Sequence, residues 1–291
     1  MNLRRALFLG GGPHPLPSVQ IRCLDVAKIL GCDYKLGIQS VEAIADRYSA
    51  FVCVKPNFLV GELAKLAARG KVIWDIIDGL PPKENIAVYL TSTKLARNLF
   101  SEYGRVEFLP HHHCNFESQP VAPGNRLPVW IGSRHWLPSL RGFEFERYFV
   151  EGMSREDVAQ ALRRSGIGLN LRGKGTLQLN AARFMKGSQP SEIKRTTTNL
   201  FDIHLALNSG IKLINCIGFG IPSISSDEPA YHEFGEDCTI FSSIRGCAKW
   251  VRALQNDDDL YMDLRKKCLR QAKKFHIDTI AGQYKKLLES L

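Results

Sequence analysis

The hydrophobic pattern of the first 111 residues alternates short apolar runs with stretches of helical spacing, the order that builds a parallel sheet. Apolar runs at 6–9, 50–54, 72–77, 86–90 and 106–109 predict buried strands. Between them, Ile21, Leu24, Ala27 and Leu30 recur at helical intervals until Gly31 stops the series. Leu59, Leu63, Leu66 and Ala67 form a second such face, and a further helix is predicted over 93–103. Residues 112–127 carry Pro120, Pro123 and Gly124 without periodicity and read as a linker. A second alternating series then predicts strands at 129–131, 147–150, 167–171, 200–207, 223–225 and 238–241, with helices at 155–164 and 211–219. Helical patterns fill 248–291. The expected architecture is α/β: two Rossmann-like, doubly wound domains, 1–118 and 119–291, facing a central cleft. The final helices are expected to be able to pack back on the first domain.

Composition narrows the partners more than the fold. A chain of 291 residues accommodates two domains. With 44% hydrophobic and 23% charged residues it is neither a disordered chain nor a collagen-like fibre nor a small disulfide scaffold. Lys and Arg number 39 against 29 acids, a formal charge of +10, which favours nucleotides, nucleic acid or an acidic membrane face. Much of the excess lies in Arg163, Arg164, Arg172, Lys174, Arg183, Lys186, Lys194 and Arg195, with Glu192 the one acid in that stretch. That stretch is either a binding surface or a solvated basic face. No apolar run reaches the roughly 18–20 residues that span a bilayer. The opening residues resemble a signal peptide, but their apolar part runs directly into Gly10, Gly11, Gly12 and Pro13, so a buried first strand is expected. The 8 cysteines show neither a Cys-x-x-Cys pair nor zinc spacing, which points to reduced thiols, a cytoplasmic location and no metal.

Several constellations could carry chemistry. Gly10-Gly11-Gly12-Pro13-His14 lies between the first strand and the first helix, where glycines let backbone N–H groups approach a phosphate or a sugar. The spacing is not that of a dinucleotide fingerprint. Asp75 and Asp78 flank the end of a strand, either as turn residues or as a general base. His111-His112-His113 cannot converge on one metal from an extended chain, so one imidazole, His111, is the candidate cleft residue. The richest segment runs from Asn208-Ser209-Gly210 through a helix to Gly220-Ile221-Pro222. Lys212 in the first turn of that helix opposes the macrodipole unless an anion sits there. A phosphate held by backbone N–H groups and Lys212 removes the conflict, and Asn215 is one turn on, placed for a ribose.

This segment resembles the donor-nucleotide motif of GT-B-fold glycosyltransferases of the family 1/4-like group. Asp227-Glu228-Pro229-Ala230-Tyr231-His232-Glu233, Ser18-Val19-Gln20-Ile21-Arg22, and Leu90-Thr91-Ser92-Thr93-Lys94 with Phe108-Leu109-Pro110-His111 are similar to further steps of that fold in the same order. The resemblance implies a transferase that moves a sugar from a nucleotide-diphosphate sugar to an acceptor hydroxyl, with the donor on the second domain and the acceptor on the first. It implies donor binding by Gly11, Gly12, Arg134, Arg172, Lys174, Ser209, Lys212 and Asn215, and no cofactor beyond the donor. His14, Asp75, Asp78 and His111 are the candidate bases, in that order. Retaining relatives place two glutamates where this chain has Leu207 and Asn215, so their mechanism does not carry over. The expected acceptor is a glycan or lipid-linked polysaccharide at an anionic membrane surface. Alternatives are a nucleic-acid base, an epimerase of the same fold, or a nucleotide-sugar-binding protein without catalysis.

Overall fold

The computed structural model describes residues 5–12, 16–56, 61–77, 81–124, 126–172 and 207–291. Two all-parallel sheets organise it. The first has the order β2-β1-β3-β4-β5-β6, from β1 (Ala6–Gly10), β2 (Asp33–Leu36), β3 (Ala50–Val54), β4 (Lys71–Ile76), β5 (Val88–Thr91) and β6 (Val106–Phe108). The second has the order β11-β10-β9-β7-β8, from β7 (Pro128–Gly132), β8 (Glu146–Phe149), β9 (Ile167–Asn170), β10 (Ser223–Ser225) and β11 (Thr239–Phe241). In both, the first strand of the sheet lies between the second and the third. The chain therefore reverses its winding beside β1 and beside β7. In open parallel sheets such reversal points, at the carboxyl ends of the strands, are where ligands bind.

Strand burial follows the apolar runs. β1 and β3 are buried throughout and pair in register from Ala6 with Ala50 to Gly10 with Val54. The sequence pattern missed β2 because Asp33, Tyr34 and Lys35 are all exposed on the sheet edge, where no apolar alternation is required. The first helical segment, α1, is not one regular helix. It runs as Pro17–Val19, a π turn Gln20–Leu24, and Asp25–Leu30. Ile21, Arg22, Cys23 and Leu24 are all buried in that wide turn. Among the described residues the other α-helices are α2 (Gly61–Ala67), α3 (Lys94–Leu99), α4 (Arg155–Arg163), α5 (Ile211–Phe219), α6 (Pro229–Gly235), α7 (Cys247–Asn256), α8 (Asp258–Ala272) and α9 (Ile277–Glu289). Ile277, Ile280, Tyr284, Leu287 and Leu288 of α9 share a core cluster with Phe8, Val52 and Leu90 of the first sheet.

The stretch expected to be a linker begins as a buried strap, whereas residues 116–120 and 122–124 are exposed. His112, His113, Cys114 and Asn115 are almost wholly enclosed. Their polar groups are satisfied across the molecule: His113 N–H donates to the Phe275 carbonyl at 3.0 Å, and Asn115 Nδ2 donates to the Gly218 carbonyl at 2.7 Å. Proline and low apolar content conceal such a segment from a periodicity argument, because its stability comes from backbone partners. Residues 173–206, which hold most of the expected 200–207 strand and the basic stretch beyond Arg172, lie outside the described residues.

Candidate functional site

The second sheet's reversal point collects a compact set of charged and aromatic groups. β7 ends at Gly132, and Trp130 on that strand donates its indole N–H to the Leu171 carbonyl at 3.0 Å, joining the ends of β7 and β9. Over the Trp130 ring, 4.6 Å from its centroid, stands the Lys212 ammonium. Lys212 is at the second position of α5, behind Gly210, whose φ of 61° is left-handed backbone that suits glycine. A Cβ on Gly132 would stand 2.6 Å from Lys212 Nζ and 2.8 Å from the Trp130 ring, so a side chain at the strand end would force the ammonium or the ring to shift.

Lys212 Nζ is buried and has no hydrogen-bond partner among the described residues. Burial, with Arg172 close by, lowers its pKa to about 7, against a smaller opposing pull from Glu228. Arg172 lies 5.0 Å over the Trp136 ring, donates to Asn208 Oδ1, and has its Nε 3.6 Å from Glu228 Oε1. Asn208 donates in turn to Glu228 Oε2. Two cations, one carboxylate and an amide thus share one buried edge beside a helix N-terminus. The arrangement is suited to an anionic group that pairs with Lys212 while Glu228 accepts from a neutral hydroxyl. Changing Gly132 to Ala is expected to displace Lys212 from Trp130 and lower nucleotide-diphosphate affinity at least about tenfold. Calorimetric titration checks this, with the far-UV spectrum unchanged.

The other expected donor residues separate. Ser209 is half-buried in the turn before α5. Arg134 is exposed just beyond β7, its guanidinium 4.8 Å over Phe149 and its backbone N–H donating to Glu151 Oε1 at 3.0 Å. Asn215, expected at a ribose, is buried, and its Oδ1 accepts the Cys114 N–H at 3.0 Å, which clamps the strap. Gly11 and Gly12 follow β1 in the other sheet, where Gly11 N–H donates to the Val54 carbonyl at 3.2 Å and Gly12 has a φ of 78°. Lys174 lies outside the described residues. Sequence reasoning assigned no role to Trp130, Gly132, Asn208 and Glu228. A readable signal was present in Trp130-x-Gly132, which ends the first strand of its sheet as Gly10 ends β1.

Among the candidate bases, His14 and Asp78 also lie outside the described residues. Asp75 is not the solvent-facing or turn carboxylate that its position at a strand end suggested. It is buried in an ion pair with the Arg22 guanidinium, whose Nη1 also donates to the Leu109 carbonyl at 2.7 Å. Tyr284 of α9 completes the group, 3.5 Å from Asp75 Oδ2. Burial raises the Asp75 carboxyl, and Arg22 opposes the rise. Removing one member leaves the other charge buried and alone, so Asp75→Asn is expected to cost roughly 3 kcal/mol in urea unfolding. A double change of Arg22 and Asp75 to Met and Leu should recover most of it.

His111 is buried with neither ring nitrogen partnered among the described residues, and burial beside Arg22 pushes its pKa well below the ordinary value. It is neutral at pH 7. Among the described residues, six buried polar atoms without a hydrogen bond belong to Arg22, Asp25, Asp75, His111 and Arg155, of which Arg155 Nε stands 3.8 Å from Asp25 Oδ2; the others belong to Lys212 and Tyr231. No group of three or more His, Cys, Asp or Glu side chains among the described residues is placed to hold a metal ion.

The two sheets, their shared strand order and the returning C-terminal helix form the GT-B fold of glycosyltransferases. No protein-family model matches the chain, and no curated protein matches it. Solved structures do. The Anabaena protein HepE, crystallised with UDP and glucose, is similar at a TM-score of 0.58 with 13% identity, over 99% of this chain and 100% of that one. HepE with UDP-glucose gives 0.56 at 13% identity, over 98% and 99%. A glycosyltransferase from Rickettsia africae gives 0.56 at 10% identity, over 98% of each chain.

Proposed function

We propose that the protein is a glycosyltransferase that moves a sugar from a nucleotide-diphosphate sugar to an acceptor hydroxyl. The observation that carries the reading is Lys212, a buried ammonium with no partner among the described residues, held at the sheet's reversal point beside the first turn of α5. The HepE complexes with UDP and UDP-glucose support a nucleotide sugar as its ligand. In this reading residues 119–291 bind the donor and 1–118 face the acceptor. Lys212, Arg172 and the N–H groups of α5 neutralise the diphosphate leaving group, while Arg134 reaches it from the rim. No cofactor beyond the donor is invoked. Glu228 supplies the hydroxyl-accepting carboxylate that Leu207 and Asn215 cannot.

An inverting transfer needs a base for the acceptor proton. Asp75 is committed to Arg22 and His111 is sealed within the junction, so His14, then Asp78, are the proposed bases. The proposed acceptor is a glycan or lipid-linked glycan, met in the cytoplasm at an anionic membrane surface. Among the described residues no helix is long and apolar enough to cross a membrane.

A panel of UDP, GDP, CDP and TDP sugars, and CMP sugars, tests the reading by slow release of free sugar without acceptor. Release from one donor, lost in Lys212→Ala, is expected. Tight nucleotide binding without turnover would instead mark a binding protein, and interconversion of the sugar an epimerase.

A further inference from the structure

α8 (Asp258–Ala272) buries Tyr261, Leu264, Arg265 and Cys268. Met262, Lys266, Leu269, Arg270 and Lys273 recur at helical spacing and form one line along its exposed side and the turn that follows. Met262 is 47% and Leu269 37% exposed, large values for apolar side chains in a folded domain. Lys266, Arg270, Lys273 and Lys274 are exposed and pair with no acid among the described residues, whereas Lys267 is neutralised by Asp263 at 2.6 Å. From Lys266 to Lys274 the chain has no acidic residue; Asp258 and Asp259 lie at the opposite end of the helix. Met262, Asp263, Arg265, Lys266, Leu269 and Arg270 line a shallow depression of about 690 Å³.

Like charges one turn apart, as at Lys266 and Arg270, destabilise a helix in water. A surface rich in negative charge reverses that penalty. Exposed apolar groups interleaved with long cationic side chains match an interface in which the apolar groups enter the acyl boundary and the cations meet phosphates. Single-stranded nucleic acid would favour aromatic platforms, and the stripe contains none. We propose that this face of α8 docks on an anionic phospholipid surface. Its value to the protein rests on the proposed function, since it would hold the transferase where a lipid-linked acceptor resides.

The test is co-sedimentation of the full chain with phosphatidylcholine vesicles, with and without phosphatidylglycerol, beside a DNA duplex control. The wild type is expected to bind only the anionic vesicles. K266S/R270S/K273S/K274S should lower the partition coefficient by about a hundredfold or more, at roughly fivefold per cation. M262S/L269S should lower it by about tenfold. Both variants should keep the wild-type melting point within a few degrees and the thermal shift given by nucleotide diphosphate. Absence of vesicle binding in the wild type, undiminished binding by the charge variant, or tighter binding to the duplex than to vesicles would overturn the proposal. Absence of vesicle binding by the wild type, with its nucleotide binding intact, counts against α8 alone. Vesicle binding without any nucleotide binding counts against the donor site alone.

Discussion

Lys212→Met is expected to abolish nucleotide-diphosphate binding, with a loss of about a hundredfold or more in affinity, while raising the melting point of the unliganded protein. The two effects share one cause. The ammonium is buried over Trp130 with no hydrogen-bond partner among the described residues, so the unliganded fold bears a poorly compensated cation. Methionine has nearly the same length and no charge, which relieves that cost. It also removes the charge-assisted bond to the diphosphate, an interaction of roughly 3 kcal/mol when desolvated. A residue serving only the fold would lower both quantities together.

The same site carries a pH signature. With its pKa lowered to about 7, Lys212 is largely neutral at pH 8 in the unliganded protein. A bound diphosphate favours the charged form, so binding at pH 8 should take up a proton. Affinity should fall as pH rises above 7, and calorimetry in buffers of different ionisation heat reads the uptake directly. In Lys212→Met this proton uptake should vanish.

Acidification is expected to unfold the protein through the strap. His112 and His113 are enclosed, and burial lowers their pKa values to about 3 and about 4. The two ring nitrogens of His112 face the His113 and Ile21 carbonyls, to one of which the neutral ring donates its single N–H, and His113 Nε2 faces the Ala272 carbonyl. In the unfolded chain both titrate near 6.5. Below that pH the unfolded chain binds more protons than the fold, so stability is complete above about 6.5 and falls as pH drops toward the folded-state values. At pH 4.5 the two histidines together should cost roughly 5 kcal/mol, comparable with the whole stability of many domains. Urea midpoints between pH 7 and 4.5 measure this. His112→Gln should flatten the slope, even if it lowers stability at pH 7.

The sheets were legible in the sequence because their inner strands are largely buried: β3, β4 and β7 coincide with apolar runs, whereas the exposed edge strand β2 carries no such signal. The helix beginning at Ile211 and its early lysine were equally legible, since a cation in a first turn is a local conflict that calls for an anion. The partners of that lysine were not. Trp130 and Gly132 on β7 and Glu228 before α6 come to it from two distant segments, and no spacing along the chain encodes such an encounter. The fold contacts of Asp75 and Asn215 were illegible for the same reason: Arg22 and the Cys114 N–H, which meet them, lie far away in sequence.

The most direct measurement is a crystal structure of the chain with the nucleotide diphosphate that gives the largest thermal shift. The account predicts the diphosphate within hydrogen-bond reach of Lys212 Nζ and the first N–H groups of α5, with Arg172 beside it. A nucleotide bound elsewhere, with the Lys212 ammonium still unpaired over Trp130, would contradict it.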